Sequence, residues 1–207
     1  MFVTLEGVEG SGKTTVAKRL VAILEEHGYE VIYTREPGGN QIAEAIREIV
    51  LDPQNTDMDV RTEALLYAAA RRQHLVNVVE PALKASKVVI CDRFVDSSIA
   101  YQGYGRQIGP ELIESINDFA IAGKRPDLTF LIDVRPEVGL ARINQDKSRE
   151  INRLDLEEMD FYQLVYAGYQ ELAKKNPTRI KVINGERLVT HIVADIYQVI
   201  KSRVTYE

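Results

Sequence analysis

The sequence predicts an α/β fold: a central parallel sheet of five strands flanked by helices, with a short lid. Three observations predict it. β-rich and helix-patterned stretches alternate along the 207 residues. The strand candidates are short, continuously apolar runs, which is how strands covered on both faces read. The first of them runs straight into a glycine-rich turn that opens a helix pattern. Such alternation stacks helices on both faces of a parallel sheet. Right-handed crossovers then bring the loops that follow the strands to one edge, where ligands bind.

Each element follows from local chemistry. Phe2 to Glu6 is the first strand, and the helix behind the turn shows Val16, Leu20, Ile23 and Leu24 at helical spacing, with Gly28 as its stop. Val31-Ile32-Tyr33 is the second strand, and Glu36-Pro37-Gly38-Gly39 breaks the chain. Ile42, Ala43, Ile46, Ile49 and Val50 mark an amphipathic helix. A long helical region is expected over 59–85, interrupted near Pro81. Val88-Val89-Ile90-Cys91 is a strand ending in Asp92, residues 128–132 form another and residues 180–183 a fifth. A closing helix carries Val189, Ile192, Val193, Ile196, Val199 and Ile200. The polar stretch from Asn144 into Asn152-Arg153 is flanked by helices and reads as a lid, approximately 144–153, within a single domain of 1–207.

Composition narrows the class. Hydrophobic residues at 45% and charged residues at 28% suit a globular enzyme with a sizeable core. The single cysteine, Cys91, leaves no internal disulfide and fits a reducing, cytoplasmic setting. No apolar run is long enough to span a membrane, and the N-terminus lacks the marks of a secretory leader. A net charge of −5 argues against a general nucleic-acid binder, though local arginines can still hold phosphates.

The chemistry starts at Gly7-Val8-Glu9-Gly10-Ser11-Gly12-Lys13-Thr14, a full G-x-x-x-x-G-K-[ST] match between a strand and a helix. The glycines let the backbone curl so that its N–H groups point at phosphate oxygens, and the helix N-terminus adds positive potential. These residues, with Thr15 behind them, are expected to bind ATP: Lys13 reaches the β- and γ-phosphates and Thr14 ligates Mg²⁺. Asp92, at the end of an apolar strand, is the second Mg²⁺ residue, acting directly or through water.

Three kinds of phosphate-loop protein compete: a small-molecule kinase, a GTPase switch and a motor ATPase. The D-x-x-G and N-K-x-D motifs of a GTPase are absent from the sequence, and Asp92 is followed by Arg93 rather than by a glutamate that would activate water. Arginine holds phosphate and cannot serve as that base. Transfer to an acceptor therefore fits better than hydrolysis. Arg35, Arg47, Arg71, Arg72, Arg93, Arg106, Arg149 and Arg153 are the candidate cations for two phosphate-bearing substrates. A phosphate acceptor needs no general base, so positioning and charge must carry catalysis. His27, His74 and His191 lack ligand-like spacing and read as structural or surface residues.

The glycine-rich loop with Glu9, then Thr34-Arg35-Glu36-Pro37-Gly38-Gly39, then 63–72 (Glu-Ala-Leu-Leu-Tyr-Ala-Ala-Ala-Arg-Arg), then 92–103 beginning Asp92-Arg93-Phe94, resemble thymidylate kinase of bacterial type. The resemblance runs in order over nearly the whole chain. It implies transfer of the γ-phosphoryl group of ATP to dTMP, giving dTDP and ADP on the route to dTTP, with Mg²⁺ and as a homodimer. The long helix over 59–85 is the expected contributor to that interface. Residue by residue, it implies that Tyr67 stacks on thymine, Arg71 hydrogen-bonds the base, and Ser98 and Gln102 lie around the base and its N3 edge. Tyr101 packs against the 2′ carbon. Arg47 and Arg93 hold the acceptor phosphate, Glu9 approaches the 3′-hydroxyl, and Glu36 and Pro37 belong to the same substrate site. Members commonly carry phenylalanine where this chain has Tyr67. Gly10 matches the arrangement in which the lid, here Lys147, Arg149 and Arg153, supplies the catalytic cation. Arg149 is the first choice to close over the transferring group beside Lys13 and Arg93, and Arg153 to support the lid and the ATP phosphates. The rivals are another nucleoside monophosphate kinase, a nucleoside kinase, or a nucleotide-binding regulator.

Overall fold

The computed structural model describes residues 1–145 and 152–203. One sheet holds all five strands, β1 (Phe2–Glu6), β2 (Val31–Arg35), β3 (Val88–Asp92), β4 (Leu128–Asp133) and β5 (Ile180–Asn184). Its order is β2-β3-β1-β4-β5 and every pairing is parallel, as the unalternating strands predicted. β1, β3 and nearly all of β4 are buried residue by residue. Phe2, Leu5, Ile90 and Phe130 meet Leu20 and Leu24 of α1 (Lys13–Glu26) in the core. Full burial of such side chains contributes roughly 1.5–3 kcal/mol each.

Local chemistry sets the helix ends. α2 (Gln41–Leu51) starts at Asn40, whose side chain accepts from the Ala43 amide at 3.1 Å. α3 (Val60–His74) starts at Asp59, which accepts from Arg61 and Thr62. Such caps satisfy amides that the first turn leaves unpaired. The expected break near Pro81 begins a turn earlier. Residues Leu75–Val79 widen into a π turn, with the Glu80 amide bonded to the Leu75 carbonyl, before α4 (Glu80–Lys84). Pro81 has no amide to give to a carbonyl four residues back, so the turn ahead of it opens.

The helix α2 keeps the single apolar face its periodicity implied, since residues 42, 43, 46, 49 and 50 fall on one side at about 100° per residue. Only part of that face is covered: Ala43 and Val50 are buried, but Ile42 is 55% and Ile49 49% exposed. α5 (Val95–Ser98) runs through a second π segment (Ile99–Gly105) towards α6 (Pro110–Ile121). α7 (Pro136–Gln145) follows β4, a 3₁₀ turn spans Arg153–Leu156, and α8 (Met159–Lys175) and α9 (Val189–Lys201) complete the chain. The topology leaves β1 and β3 adjacent. The register Leu5↔Asp92 brings the loops that follow both strands to the same edge, where connections diverge to opposite sides of the sheet.

Candidate active site

A cavity of about 650 Å³ opens at that edge. Its floor is the loop between β1 and α1. Gly10 and Gly12 take left-handed backbone angles (φ 70° and 88°) that let the loop curl into α1. Lys13 is buried, and its Nζ donates to the carbonyls of Gly7 (3.0 Å) and Val8 (2.9 Å) and to Ser11 Oγ (3.1 Å). Burial first, and Arg93 second, push its pKa down to about 8. The Thr14 hydroxyl donates to Asp92 Oδ2 at 2.7 Å, which puts two oxygen donors side by side. Gly10 to Thr15 line the cavity, and Val8 is buried beneath them.

The loop is locked from above by α7. A Cβ on Gly10 would lie 2.0 Å from the Gly139 carbonyl oxygen, and one on Gly139 would lie 2.2 Å from that of Glu9. The two backbones touch where neither residue has a side chain. Any side chain at position 10 would meet α7.

Arg93 takes φ 72°, which turns its side chain back over the loop. It donates to Glu9 (2.7 Å), the Gly7 carbonyl (3.0 Å), Ser97 (3.2 Å), and the hydroxyls of Tyr101 and Tyr169 (3.2 Å each). Burial opposes its charge, but Glu9 and the two tyrosines outweigh that and raise its pKa well above the ordinary arginine value. Tyr101 also donates to Glu9 at 3.4 Å. Beneath them Glu6 accepts from the Phe94 amide (2.7 Å), Ser97 (2.6 Å) and Tyr169 (3.0 Å). Arg35 and Arg47 converge on the Pro37 carbonyl at 2.8 and 3.1 Å. Burial and Arg35 together lower the pKa of Arg47.

The far wall comes from α3. Glu63, Tyr67 and Arg71 stand four residues apart, on one face of the helix, and all three are buried. Arg71 is held on every side: Nε donates to Glu36 (2.7 Å), Nη1 to Ser98 (3.0 Å) and to Asn117, and Nη2 to the Phe94 carbonyl (3.0 Å). Glu36 in turn accepts from His74 Nδ1 at 2.8 Å, and His74 Nε2 is hydrogen-bonded with the Thr34 hydroxyl at 2.7 Å. His74 is therefore the structural residue its spacing implied, though it lies behind the site.

Glu9, Glu36, Pro37, Arg47, Tyr67, Arg71, Arg93, Ser98, Tyr101 and Gln102 all line the one cavity with Lys13, Thr14 and Asp92. Arg153 does not join them. Its guanidinium turns inward, donating to the Val50 carbonyl at 2.9 Å and to Glu63, because that buried carboxylate needs a cation. The expected contact of Arg153 with ATP phosphates is thus replaced by a contact inside the fold. Arg106 is committed to Glu63 and Glu157, and Arg72 to Glu80 and the Ala120 carbonyl. Lys147 and Arg149 lie outside the described residues. Sequence reasoning missed Arg142, which donates to the carbonyls of Gly10 (3.4 Å) and Gly185 (3.3 Å) on the cavity wall. It also missed Glu63. The signal for Glu63 was its spacing, one turn ahead of Tyr67 and two ahead of Arg71.

The chain matches known proteins along nearly its whole length. The model of the family described as thymidylate kinase matches residues 5–196. A thymidylate kinase of Clostridium novyi is 55% identical over 195 residues, 94% of this chain and 95% of that one. One of Halalkalibacterium halodurans is 54% identical over 204 residues, 99% and 97% of the two chains. The crystal structure of thymidylate kinase from Ehrlichia chaffeensis superposes with a TM-score of 0.79 at 37% identity, covering 97% of this chain and 98% of that one.

Proposed function

The chain belongs to the thymidylate kinase family of nucleoside monophosphate kinases, and we propose how its residues divide the transfer of the γ-phosphoryl group of ATP to dTMP. The observation that carries the reading is that two consecutive residues serve two sides of one cavity. Asp92 is bonded to Thr14 of the phosphate loop, and Arg93 to Glu9.

On the donor side, Lys13 and the loop amides take the ATP phosphates, and Arg142 with Arg187 flanks the end of the cavity near Gly185, where the adenosine part lies. Thr14 and Asp92 present the hard oxygen donors that suit Mg²⁺ and would hold it directly or through water. That ion, when bound, neutralises charge on the β- and γ-phosphates. On the acceptor side, Arg93 and Arg47 fix the dTMP phosphate, Tyr101 and Glu9 border the sugar, and Tyr67, Arg71, Ser98 and Gln102 surround the thymine. The acceptor oxygen is already anionic, so the site needs to align it and to screen charge rather than to remove a proton. Arg149, in the lid of residues 144–153, is the further cation for the transferring group, and Arg153 anchors the lid's end.

The protein acts as a homodimer in the reducing cytoplasm. Support for the dimer comes from Ile42, Ile49, Leu65, Leu112 and Phe119, large apolar side chains left exposed on α2, α3 and α6. The test is ADP formation from ATP and Mg²⁺ with dTMP, dUMP, dCMP, dGMP and AMP offered separately. Fast turnover with dTMP, weaker with dUMP and little with the rest is the expected result. Preference for another monophosphate would overturn the assignment of the base pocket.

A further inference from the structure

Glu63 makes no hydrogen bond to the residues assigned to the phosphates, yet it is fully buried and is the one carboxylate of α3. Its Oε1 accepts from Gln102 Nε2 at 2.8 Å and from Arg106 Nε at 3.3 Å. Its Oε2 accepts from Arg106 Nη2 at 3.2 Å and from Arg153. Burial alone would favour the protonated acid, but Arg106 and Arg153 hold the carboxyl below its usual range. Glu63 is then an acceptor only.

That fixes the amide of Gln102. A side-chain amide has a donating end and an accepting end, and only the donating end can face an ionised carboxylate. Gln102 must turn its NH₂ to Glu63 and its Oε1 away. Gln102 is buried, lines the cavity, and no described residue donates to that Oε1. The cavity therefore receives an acceptor from Gln102 beside the donor supplied by Arg71.

We propose that Glu63 is the specificity-positioning residue of this kinase, setting the amide of Gln102 so that its oxygen reads a base carrying an N–H flanked by a carbonyl. The inference rests on the proposed seat of the base against Tyr67. Thymine and uracil offer that pattern, a carbonyl at position 4 and N–H at position 3. Cytosine offers the reverse at both atoms, an amino group and a bare nitrogen. Its nitrogen lone pair would face Gln102 Oε1, and its amino group would face Arg71. A site that leaves buried polar groups unpaired rejects the analogue strongly.

The test compares kcat/KM for dTMP and dCMP in E63Q, E63D, Q102M and the E63Q/Q102M double variant, with the fold of each checked by thermal melting. A glutamine at position 63 can donate or accept, so Gln102 becomes free to turn over. The dTMP-to-dCMP ratio should fall on the order of tenfold in E63Q. It should hold in E63D, which keeps the carboxylate, and E63Q should cause no further fall in the Q102M background. An unchanged ratio in folded E63Q, or an equal fall without the Gln102 amide, would overturn the inference. Wild-type protein gives a reading that no folding defect can obscure. The Gln102 side-chain ¹⁵N signal, assigned by its loss in Q102M, should move little when dTMP is added, because those protons face Glu63. A large shift would put the NH₂ against the base and refute the orientation. Failure of the wild type to turn over dTMP at all would instead sink the reading of the pocket beneath it.

Discussion

Replacing Gly139 with alanine should cripple the use of ATP. The new Cβ would stand 2.2 Å from the Glu9 carbonyl oxygen, and such contacts essentially never close below 3.0 Å. The obstacle is backbone, so no rotamer change relieves it. α7 and the phosphate loop must separate by about 0.8 Å at residue 9, between Val8 and Gly10. A misplacement of about 1 Å in a positioning element costs on the order of 100-fold in rate. The expected loss in kcat/KM for ATP is therefore roughly 30- to 100-fold. Helix propensity pulls the other way, since alanine stabilises a helix interior by roughly 0.5–1 kcal/mol over glycine. Overpacking strain of about 1–3 kcal/mol exceeds that gain, so the melting temperature should fall by a few degrees. The assay is ADP formation against ATP concentration at saturating dTMP, with a melting curve alongside. Wild-type kcat/KM together with an unchanged or raised melting temperature would show that this backbone contact does not hold the loop.

Three further outcomes follow from the same geometry. The kcat/KM for ATP should decline as pH rises through about 8, because the Lys13 pKa is lowered to that value and the neutral amine no longer attracts phosphates; a profile that stays flat well past that pH would refute the assignment. Arg149→Ala should reduce turnover on the order of 100-fold while calorimetric dTMP affinity changes little, and an unchanged rate would remove Arg149 from the transition state. Phe119→Glu, at a side chain 90% exposed, should turn a dimer into a folded monomer in sedimentation velocity, and a monomeric wild type would refute the interface.

The sheet, its five strands and the phosphate loop were legible because each depends on a run of neighbouring residues. Val88 to Asp92 reads as a buried strand with a carboxylate at its end, and it is one. What was hidden depends on partners distant along the chain. Nothing near Arg153 announces that its guanidinium belongs to Glu63, ninety positions earlier. Asn117, which helps to hold Arg71, comes from α6, and His74 reaches Glu36 across 38 residues. Ile42 and Ile49 were misleading for another reason. Periodicity reports that a helix has an apolar face, but the side chains that cover that face belong to some other element or to another chain.

The spacing of Glu63, Tyr67 and Arg71 makes α3 a ruler. A helix advances about 100° per residue, so one inserted residue between any two of these marks would swing the later one to a different face. An insertion that keeps these marks aligned would have to fall in the segment before Asp59 or in the wider turn at Leu75–Val79. The same spacing separates two design problems. On the proposed assignment, Tyr67 and Arg71 meet the base from one rigid rod, with Ser98 and Gln102 closing around it, whereas the phosphates are met by Arg47 and by the loops that follow β1 and β3. If that assignment holds, single exchanges on α3 should alter nucleobase preference while the phosphate loop stays where it stands.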